Sequence, residues 1–521
     1  MAPLVLLILI FFLTTPLIIH SRKKRKGRLP LPPGPMGFPL LGYLPKLGPN
    51  PHRTFHSLSK TYGPLLSLRL GVVQVIVPCS AAAAAKLFRN DIHVINRPKN
   101  SSAEHITYDS HDIGFIPYGA QWRMMRKLCA LQLFSPKALD DFQHARCAVV
   151  TRLVRELAGV SGDGKGARLP GEAVDMSREV AKCVANSLSQ LLIGRTVFEE
   201  GQEKEAGEFK EMVVELMFLT GSFCPADFLP GLGWLDPQGL IGRMKALHRR
   251  FDRFLDRFVA EHREARVAGN DGSRGAQDLL SVLLELQEDE DGEGGKLTDT
   301  DIKALLLALF AAGSDGTSST SEWALAELIR NPDLLARVQS ELDSVVGRRR
   351  LVAESDLPHL PLLQAVVKET LRLHAPAPLS IPRMAVDDIE VDGRLIPAGS
   401  TVLLNLWAIG RDPEAWPDGP LEFRPDRFLP GGKHEGVDLK GGHFGLIPFG
   451  SGRRMCVGMN LGLRMVSFLT ATMVQAFDWA VPAGRRAEEL DMEEKLNGLS
   501  IMKADPLVAR PVPRLAREAY L

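Results

Sequence analysis

The stretch that decides the fold reads Pro448-Phe449-Gly450-Ser451-Gly452-Arg453-Arg454-Met455-Cys456-Val457-Gly458, and it holds a single cysteine between glycines. Two arginines lie two and three residues before Cys456, and nearby cations lower the pKa of a thiol. The glycines permit tight turns, which let backbone N–H groups approach and stabilise a sulfur ligand. The pattern therefore favours a thiolate bound to a metal centre. The alternative is a buried structural cysteine in a glycine-rich turn.

The composition is typical of a globular protein with a large core. Of the 521 residues, 45% are hydrophobic and 24% are charged. The net charge of +1 gives no reason to expect nucleic-acid binding. A chain of this length has room for more than one average domain, but no linker divides it convincingly. The six cysteines form neither a disulfide-type cluster nor a CxxC zinc pair, which indicates a reducing compartment.

The N-terminal segment departs from this soluble pattern. Residues 3–19 are almost wholly apolar, and six basic residues follow between positions 22 and 28. The apolar run is at the short end of what crosses a bilayer core, which takes about 20 residues. A cleaved signal peptide would carry its charges before the apolar run, whereas here they come after it. We therefore predict a membrane anchor at residues 1–21 with the remainder cytosolic, and a secreted form is the alternative.

A proline-rich stretch follows the predicted anchor. Residues 29–35 read Leu-Pro-Leu-Pro-Pro-Gly-Pro, and prolines at this density form a semi-rigid spacer. We predict a basic and proline-rich hinge at residues 22–42 and a single domain at residues 43–521.

Most of this domain has helical periodicity. Two β-hairpins are expected, one around Gly71 between 65–70 and 72–77, and one that turns at Asp392-Gly393. The spacing of apolar residues predicts helices at 138–157, 209–219, 244–266, 278–286, 299–330, 333–346 and 362–374. Polar stretches at 159–168, 269–275 and 288–295 are predicted to be surface loops. The predicted fold class is mostly α with small β-sheets.

The motif around Cys456 resembles the haem-ligand loop of the cytochromes P450. The matching residues are Phe449, Gly452, Arg454, Cys456 and Gly458, in the family pattern Phe-x-x-Gly-x-Arg-x-Cys-x-Gly. The resemblance implies the cytochrome P450 fold behind an N-terminal transmembrane anchor. It also implies a haem b cofactor whose iron takes its axial thiolate from Cys456, a ligand that favours O–O bond cleavage.

Two further segments resemble motifs of the same family. Glu369 and Arg372, neighbours on one helix face, match the family's buried charge network together with Arg427. A buried carboxylate shared by two guanidiniums is tolerable only if every partner stays. Trp122 and Arg126 resemble the helix that binds a haem propionate, and an amphipathic helix that happens to carry a tryptophan is the alternative.

Two more arginines complete the cofactor residues that the resemblance implies. Arg383 and Arg454 occupy the family's other propionate-contacting positions. Arginine suits an anionic propionate because its planar guanidinium presents a fork of N–H donors.

The stretch Phe310–Thr320 aligns with the family's oxygen-binding groove, usually Ala-Gly-x-Asp-Thr-Thr. By this resemblance Gly313 leaves space for O₂ and Asp315 gates protons. The position of the usual alcohol holds Gly316, and Thr317 lies about 100° further around the helix, so it cannot simply substitute. A water or a substrate hydroxyl is then expected to relay protons, and weak or uncoupled activity is expected.

Several segments resemble plant flavonoid B-ring hydroxylases, particularly those that act at the 3′ position. The matching segments are 97–105, 133–142, 431–432, 437–441 and 498–508. The resemblance implies flavonoid and O₂ as substrates, pocket segments at 101–108, 310–314, 378–382 and 499–501, and the cytosolic face of the endoplasmic reticulum membrane. The sequence carries no Gly-rich dinucleotide fingerprint, so electrons are expected from NADPH through a separate cytochrome P450 reductase. Its predicted dock is the basic surface of Arg123, Lys127 and Arg453.

Other functions stay open at this point. Ser500, where threonine is usual, enlarges the pocket and favours a flavonoid 3′,5′-hydroxylase, and another plant phenolic hydroxylase is a further alternative. Gly316 is compatible with a haem-thiolate isomerase or dehydratase that needs no O₂, and with a catalytically weak membrane scaffold.

Overall fold

The computed structural model of the chain describes residues 29–160, 172–197, 203–229, 236–268, 278–288, 297–482 and 486–521. The predicted anchor at residues 1–21 lies outside these ranges, as do most of the predicted polar loops at 159–168, 269–275 and 288–295. Among the helices of the described ranges, none is both long enough and apolar enough to cross a membrane.

Helices make up most of the described structure. They are α1 (Pro51–Tyr62), α2 (Ala81–Phe88), α3 (Ser101–His105), α4 (Ala120–Leu128), α5 (Pro136–Asp141), α6 (Gln143–Leu157), α7 (Met176–Ile193), α8 (Glu203–Gly221), α9 (Pro225–Phe228), α10 (Leu240–Val267), α11 (Leu279–Glu288), α12 (Asp299–Arg330), α13 (Pro332–Val345), α14 (Pro361–Leu373), α15 (Leu406–Ile409) and α16 (Met459–Ala476). The predicted mostly α fold class is confirmed.

The strands of the described ranges form small sheets. They are β1 (Leu65–Leu70), β2 (Val73–Pro78), β3 (Val174–Asp175), β4 (Arg383–Met384), β5 (Ile389–Val391), β6 (Arg394–Ile396), β7 (Thr401–Val402), β8 (Phe477–Ala480), β9 (Glu494–Asn497), β10 (Ser500–Lys503) and β11 (Val508–Pro513). One sheet has the order β1-β2-β7-β4, another has the order β3-β11-β8, and β5 pairs with β6 as β9 does with β10. The parallel pair β2–β7 brings Arg383 of β4 into the same sheet as β1.

The long helix α12 runs through the hydrophobic core. It begins after a capping box, in which the Asp301 N–H donates to the Thr298 hydroxyl (3.1 Å) and the Thr298 N–H donates to the Asp301 carboxylate (3.0 Å). Most of its side chains are buried, because α7, α14 and α16 pack against it. This packing fixes the helix that forms one wall of the cavity described below.

The predicted elements agree with the structure at most positions. The two hairpins correspond to β1–β2 and β5–β6, and the predicted helix 299–330 coincides with α12. The helix predicted at 138–157 is wrong as a single element, because Phe142 leaves helical geometry (φ −91°, ψ 6°) between α5 and α6. That break allows the Phe142 ring to be buried in the core. The sequence pattern gives no prediction for α7 and α16, since both are buried on most faces and lack a polar stripe.

The described part of the proline-rich segment lies against the domain. The Leu395 N–H of β6 donates to the Pro30 carbonyl (2.8 Å), and the Ser67 N–H of β1 donates to the Pro33 carbonyl (2.9 Å). The segment from residue 30 onward is therefore held by backbone hydrogen bonds to two strands.

Candidate active site

A cavity of about 410 Å³ lies between α12 and the loop that carries Cys456. Its wall is mostly apolar, and each of the four predicted pocket segments contributes to it, through residues that include Thr107, Ala312, Gly313, Ser380, Leu499 and Ser500. Nine of the predicted site residues also line it: Trp122, Arg126, Gly313, Thr317, Arg383, Phe449, Arg454, Cys456 and Gly458.

The Cys456 loop presents its sulfur to this cavity. Gly450 (φ 76°) and Gly452 (φ 70°) take left-handed backbone conformations, which glycine adopts without strain. The Cys456 N–H donates to the Phe449 carbonyl at 2.9 Å, and α16 begins three residues after the cysteine. Burial raises the pKa of the Cys456 thiol, whereas the Gly458 N–H and Arg126 lower that pKa. The Cys456 side chain is nevertheless exposed to the space inside the cavity.

Cationic and aromatic side chains surround the loop. The Arg126 guanidinium donates to the Met455 carbonyl at 2.6 Å and lies 5.6 Å from the centre of the Trp122 ring. The Arg454 guanidinium lies 4.7 Å from the same ring centre. Arg383 donates to the Ser451 carbonyl at 2.7 Å. One structural unit therefore joins α4, β4 and the cysteine loop.

Two of these arginines keep a buried nitrogen without a hydrogen-bond acceptor in the described structure. These atoms are Nη1 of Arg383, which lies 3.8 Å from the Asp91 carboxylate, and Nη1 of Arg454. The pKa of Arg383 is lowered to about 10 by burial, and that of Arg454 is lowered to about 10 by burial together with the nearby charges of Arg383 and Arg126. The unpaired N–H groups and the accumulated positive charge suit an anionic ligand.

Arg97 and Asp91 belong to this cluster, although no sequence pattern indicated either role. Arg97 is buried and donates to the carbonyls of Gly114 (2.8 Å), Ile381 (2.9 Å) and Pro382 (2.8 Å). Burial lowers the pKa of Arg97, and Arg454 and Arg383 add to the effect. An arginine before a proline, or an aspartate in a short turn, has no spacing that distinguishes it from a surface residue.

The structure brings Glu369, Arg372 and Arg427 together behind the cysteine loop. Arg372 donates twice to the Glu369 carboxylate (2.7 and 2.8 Å), and Arg427 donates to it once (3.1 Å). The Arg424 N–H supplies a further hydrogen bond at 2.7 Å. The side chains of Glu369 and Arg372 are both 0% exposed, and both guanidiniums lie near the Trp416 ring. The predicted trio is thus a buried network with its charges paired.

On the opposite wall, α12 brings Gly313, Gly316 and Thr317 to the cavity. A Cβ on Gly313 would lie 2.9 Å from the end of the Leu188 side chain of α7, so a larger residue there would require that side chain to shift. A Cβ on Gly316 would meet only Pro376, at an ordinary contact distance of 3.8 Å. The Thr317 hydroxyl lies toward α16, because it is 4.0 Å from the place that a Cβ on Gly462 would take.

The structure does not bring Asp315 to the cavity wall. Its carboxyl group is buried where β10 packs against α12, beside Ser500. Burial raises the pKa of Asp315, and the hydrogen bond from Ser500 lowers it in part. Ser500 itself lines the cavity.

Two short helices, α3 and α9, lie beside the loop that contributes Thr107 and residues 112–115 to the cavity wall, and this loop with the two helices is called the covering side. The Asp227 carboxylate of α9 accepts hydrogen bonds from the Ser101 N–H (2.7 Å) and the Ser101 hydroxyl (2.6 Å), at the start of α3. The Tyr108 hydroxyl donates to Asp252 of α10 at 2.9 Å. Polar contacts therefore connect α3 and the loop that follows it to α9 and α10.

A thiolate loop, a cluster of arginines and a long helix around one cavity define a haem-thiolate protein, and comparison with known families agrees. The cytochrome P450 family matches the chain over residues 32–507. The chain belongs to the cytochrome P450 family, and it is a monooxygenase whose cofactor is a haem with thiolate-bound iron. Electrons reach such an enzyme from NADPH through a reductase.

Individual relatives agree over nearly the whole length. A flavonoid 3′-monooxygenase of Crocosmia x crocosmiiflora is 55% identical, with 94% of each chain covered. A flavonoid 3′-monooxygenase of Petunia hybrida is 50% identical, with 99% of each chain covered. A zebra fish cytochrome P450 structure with progesterone is 26% identical and has a TM-score of 0.72, over 89% of this chain and 99% of that one.

The residues present fit the cofactor of the family. Haem carries two carboxylates, and the unpaired nitrogens of Arg383 and Arg454 are donors of the kind that carboxylates require. Cys456 is the one cysteine that lines the cavity in the described part of the chain. The cysteine that would bind the iron and the arginines that would bind the carboxylates therefore line the same cavity.

Proposed function

We propose that the protein hydroxylates flavonoids at the 3′ position of the B-ring. The observation that carries the proposal is identity of 48% to 55% with relatives named flavonoid 3′-monooxygenase. The cavity supports it, because a mostly apolar wall with the hydroxyls of Thr107, Thr220, Ser380 and Ser500 suits a flat phenolic ligand.

Within this proposal the site residues have separate roles. Cys456 would supply the thiolate that binds the haem iron, and the loop glycines, including Gly458, allow backbone N–H groups to approach its sulfur. Trp122, Arg126, Arg383 and Arg454 hold the haem carboxylates, and Phe449 shields the thiolate. When bound, the haem supplies the activation of O₂ and the insertion of one oxygen atom into an aromatic C–H bond.

The remaining roles concern position and protons. The Glu369, Arg372 and Arg427 network fixes the segments behind the cysteine loop, since Arg372 and Arg427 also donate to backbone carbonyls of residues 418–422. Gly313 and Thr317 form the wall beside the reacting carbon, and the apolar surface around them excludes water. Asp315 holds a proton in the interior.

We further propose a cytochrome P450 reductase as the electron donor. Arg123 and Lys127 are exposed on α4, and the side chain of Arg453 is 51% exposed while it pairs with Asp91. This basic surface lies next to the cysteine loop, and it complements an acidic partner. Reversing both α4 charges should slow haem reduction and weaken its dependence on salt.

The predicted domain order belongs to the same proposal: anchor at 1–21, hinge at 22–42 and haem domain at 43–521, on the cytosolic face of the endoplasmic reticulum. Exposed apolar side chains at Met36, Phe38, Leu40 and Leu41 support a position close to a membrane surface. A chain truncated to begin at Leu29 keeps its backbone contacts to β1 and β6, so it should bind haem and associate less with membranes.

The experiment that tests the function is a product assay. Microsomes with the protein and a reductase are given NADPH and naringenin, apigenin or kaempferol, and the products are separated by mass and retention. A 3′-hydroxylated product that is absent with Cys456→Ala supports the proposal. Products hydroxylated at another position would contradict the proposal. The absence of any product from a protein with normal haem content would contradict it as well.

The second candidate is a 3′,5′-hydroxylase. A flavonoid 3′,5′-hydroxylase of Crocosmia x crocosmiiflora is 49% identical, with 96% of this chain covered, and Ser500 leaves more room than threonine at the cavity wall. A 3′-hydroxylated flavonoid supplied as substrate distinguishes the two, since only the second candidate adds a 5′ hydroxyl. An isomerase or a scaffold would consume no NADPH in either assay.

A further inference from the structure

We infer that Ser500 on β10 delivers protons from Asp315 to the cavity, in the role for which Gly316 carries no alcohol. The inference rests on the proposed monooxygenase function, because that reaction consumes protons together with O₂. It assigns a catalytic role to Ser500 and a positioning role, as the proton source, to Asp315.

The register of β10 against α12 produces the contact. The Ser319 hydroxyl donates to the Ile501 carbonyl at 2.7 Å, and the Ile501 N–H donates to the Pro376 carbonyl at 2.8 Å. Asp315 lies one turn before Ser319 on the same face of α12. Ser500, the neighbour of Ile501 on β10, lies beside the Asp315 carboxyl group where the strand packs against α12.

The surroundings of Asp315 suit a proton donor. Asp315 is 8% exposed, and its Oδ2 is buried without a hydrogen-bond partner among the described residues. Burial raises the pKa of the carboxyl group, and among the described residues Ser500 is the side chain that opposes this change. A carboxyl group that is buried and unpaired keeps its proton more readily than an exposed one.

Ser500 is the link between this carboxyl group and the cavity. Ser500 lines the cavity and Asp315 does not, so a proton that leaves Asp315 reaches the cavity through the Ser500 hydroxyl. Gly316 has no side chain, and Thr317 also lines the cavity but its hydroxyl lies toward α16, whereas Ser500 lies beside Asp315. Beside Asp315, the alcohol is therefore supplied by Ser500 on the adjacent strand β10.

The step moves one proton and no electrons. The Ser500 O–H bond breaks as its proton passes to a water or to a ligand oxygen in the cavity, and the Asp315 O–H proton restores the Ser500 hydroxyl. The Asp315 carboxylate then takes a proton from solvent water, so each cycle returns both side chains to their first state.

The test compares Ser500→Ala with Ser500→Thr and a matched control, Ser318→Ala, whose hydroxyl donates only to helix carbonyls (2.8 and 3.1 Å). Product and peroxide per NADPH are measured for each holoprotein with the same reductase. We expect Ser500→Ala to lower product per NADPH by at least about threefold, below the ~10²-fold of a positioned acid because water replaces it in part. Ser500→Thr, which keeps the hydroxyl, and Ser318→Ala should retain the ratio.

A second measurement, which requires no catalytic turnover, accompanies the product assay. The infrared C=O band of protonated Asp315, assigned by its loss in Asp315→Asn, should shift in Ser500→Ala and stay in Ser318→Ala. An unshifted band, or a shifted band with unchanged product per NADPH, overturns the inference. If the wild type hydroxylates no flavonoid, the proposed function fails, and the infrared band alone decides whether Ser500 serves Asp315.

Discussion

The two sides of the cavity are held in different ways. Behind Cys456, the carboxylate of Glu369 accepts four hydrogen bonds, and its side chain is 0% exposed. On the opposite side, Tyr108, Asp109 and Ser110 all have positive φ angles (53°, 55° and 65°), which residues with a side chain rarely adopt. The Glu369 network behind Cys456 pairs its charged groups with one another, whereas the second side keeps backbone strain beside the cavity.

The difference between the two sides indicates which parts of the chain can move. A strained turn persists only when its surroundings hold it. Here the contacts that hold it include the hydrogen bonds from Tyr108 to Asp252 and from Ser101 to Asp227, and the Ser110 N–H donates to the Ala103 carbonyl at 2.9 Å. Loops that cover ligands belong to the least stable parts of a fold. We therefore expect changes on the Cys456 side to destroy the holoprotein, and changes on the covering side to alter exchange, affinity and coupling.

The largest effect is expected from Cys456→Ala. Loss of the thiolate should remove the red-shifted Soret band of the reduced carbon monoxide complex, because that band requires a sulfur ligand. Cys147→Ala is the matched control, since Cys147 is half-buried on α6 and does not line the cavity. A normal carbon monoxide spectrum in Cys456→Ala would contradict the ligand assignment.

The next effect in size is expected from Glu369→Ala. It leaves two buried guanidiniums without their carboxylate, at a cost of about 3–5 kcal/mol in the free energy of unfolding. The variant should therefore fail to accumulate as holoprotein, as measured by haem content and thermal unfolding. Glu390→Ala, an exposed glutamate on β5, should behave as wild type. Wild-type haem content in Glu369→Ala would mean that the network carries no stability.

How much of this could be predicted depends on whether the partners are close in sequence. The Cys456 loop and the Glu369–Arg372 pair have fixed local spacing, so the sequence predicted both. The Asp91–Arg453 ion pair joins residues 362 positions apart, and no local pattern reports it. The contact from Asp315 to Ser500 depends on the register of β10 against α12, which hydrophobic periodicity does not specify.

On the covering side, Asp227→Ala should have a moderate, local effect. It removes both hydrogen bonds to Ser101, and hydrogen bonds to a charged group contribute about 1.5–3 kcal/mol. Amide hydrogen exchange in residues 101–105 and 225–228 should become faster, while residues 452–458 keep their protection. Glu104→Ala, an exposed change in the same helix α3, should leave exchange unaltered. Equal protection in Asp227→Ala and wild type would remove the distinction between the two sides.

The smallest effect is expected from Gly316→Thr in the wild-type background. A Cβ fits there, since it meets only Pro376 at 3.8 Å, and threonine relieves part of the helix penalty of glycine, which is about 1 kcal/mol relative to alanine. Because Ser500 already serves Asp315, product per NADPH should rise by less than about twofold. Gly207→Thr, at another helix glycine with no atom near its Cβ position, is the control for stability alone.

The same substitution should matter more once Ser500 has been removed. In Ser500→Ala, an alcohol at position 316 restores a donor on the cavity wall, so Gly316→Thr should recover most of the lost product per NADPH. Two sites that serve one step are expected to be non-additive, and a double-mutant cycle measures this directly. Additive effects would mean that the strand and the helix act on separate steps. A large gain in the wild-type background would mean that the missing helix alcohol, as the sequence first indicated, leaves the enzyme uncoupled.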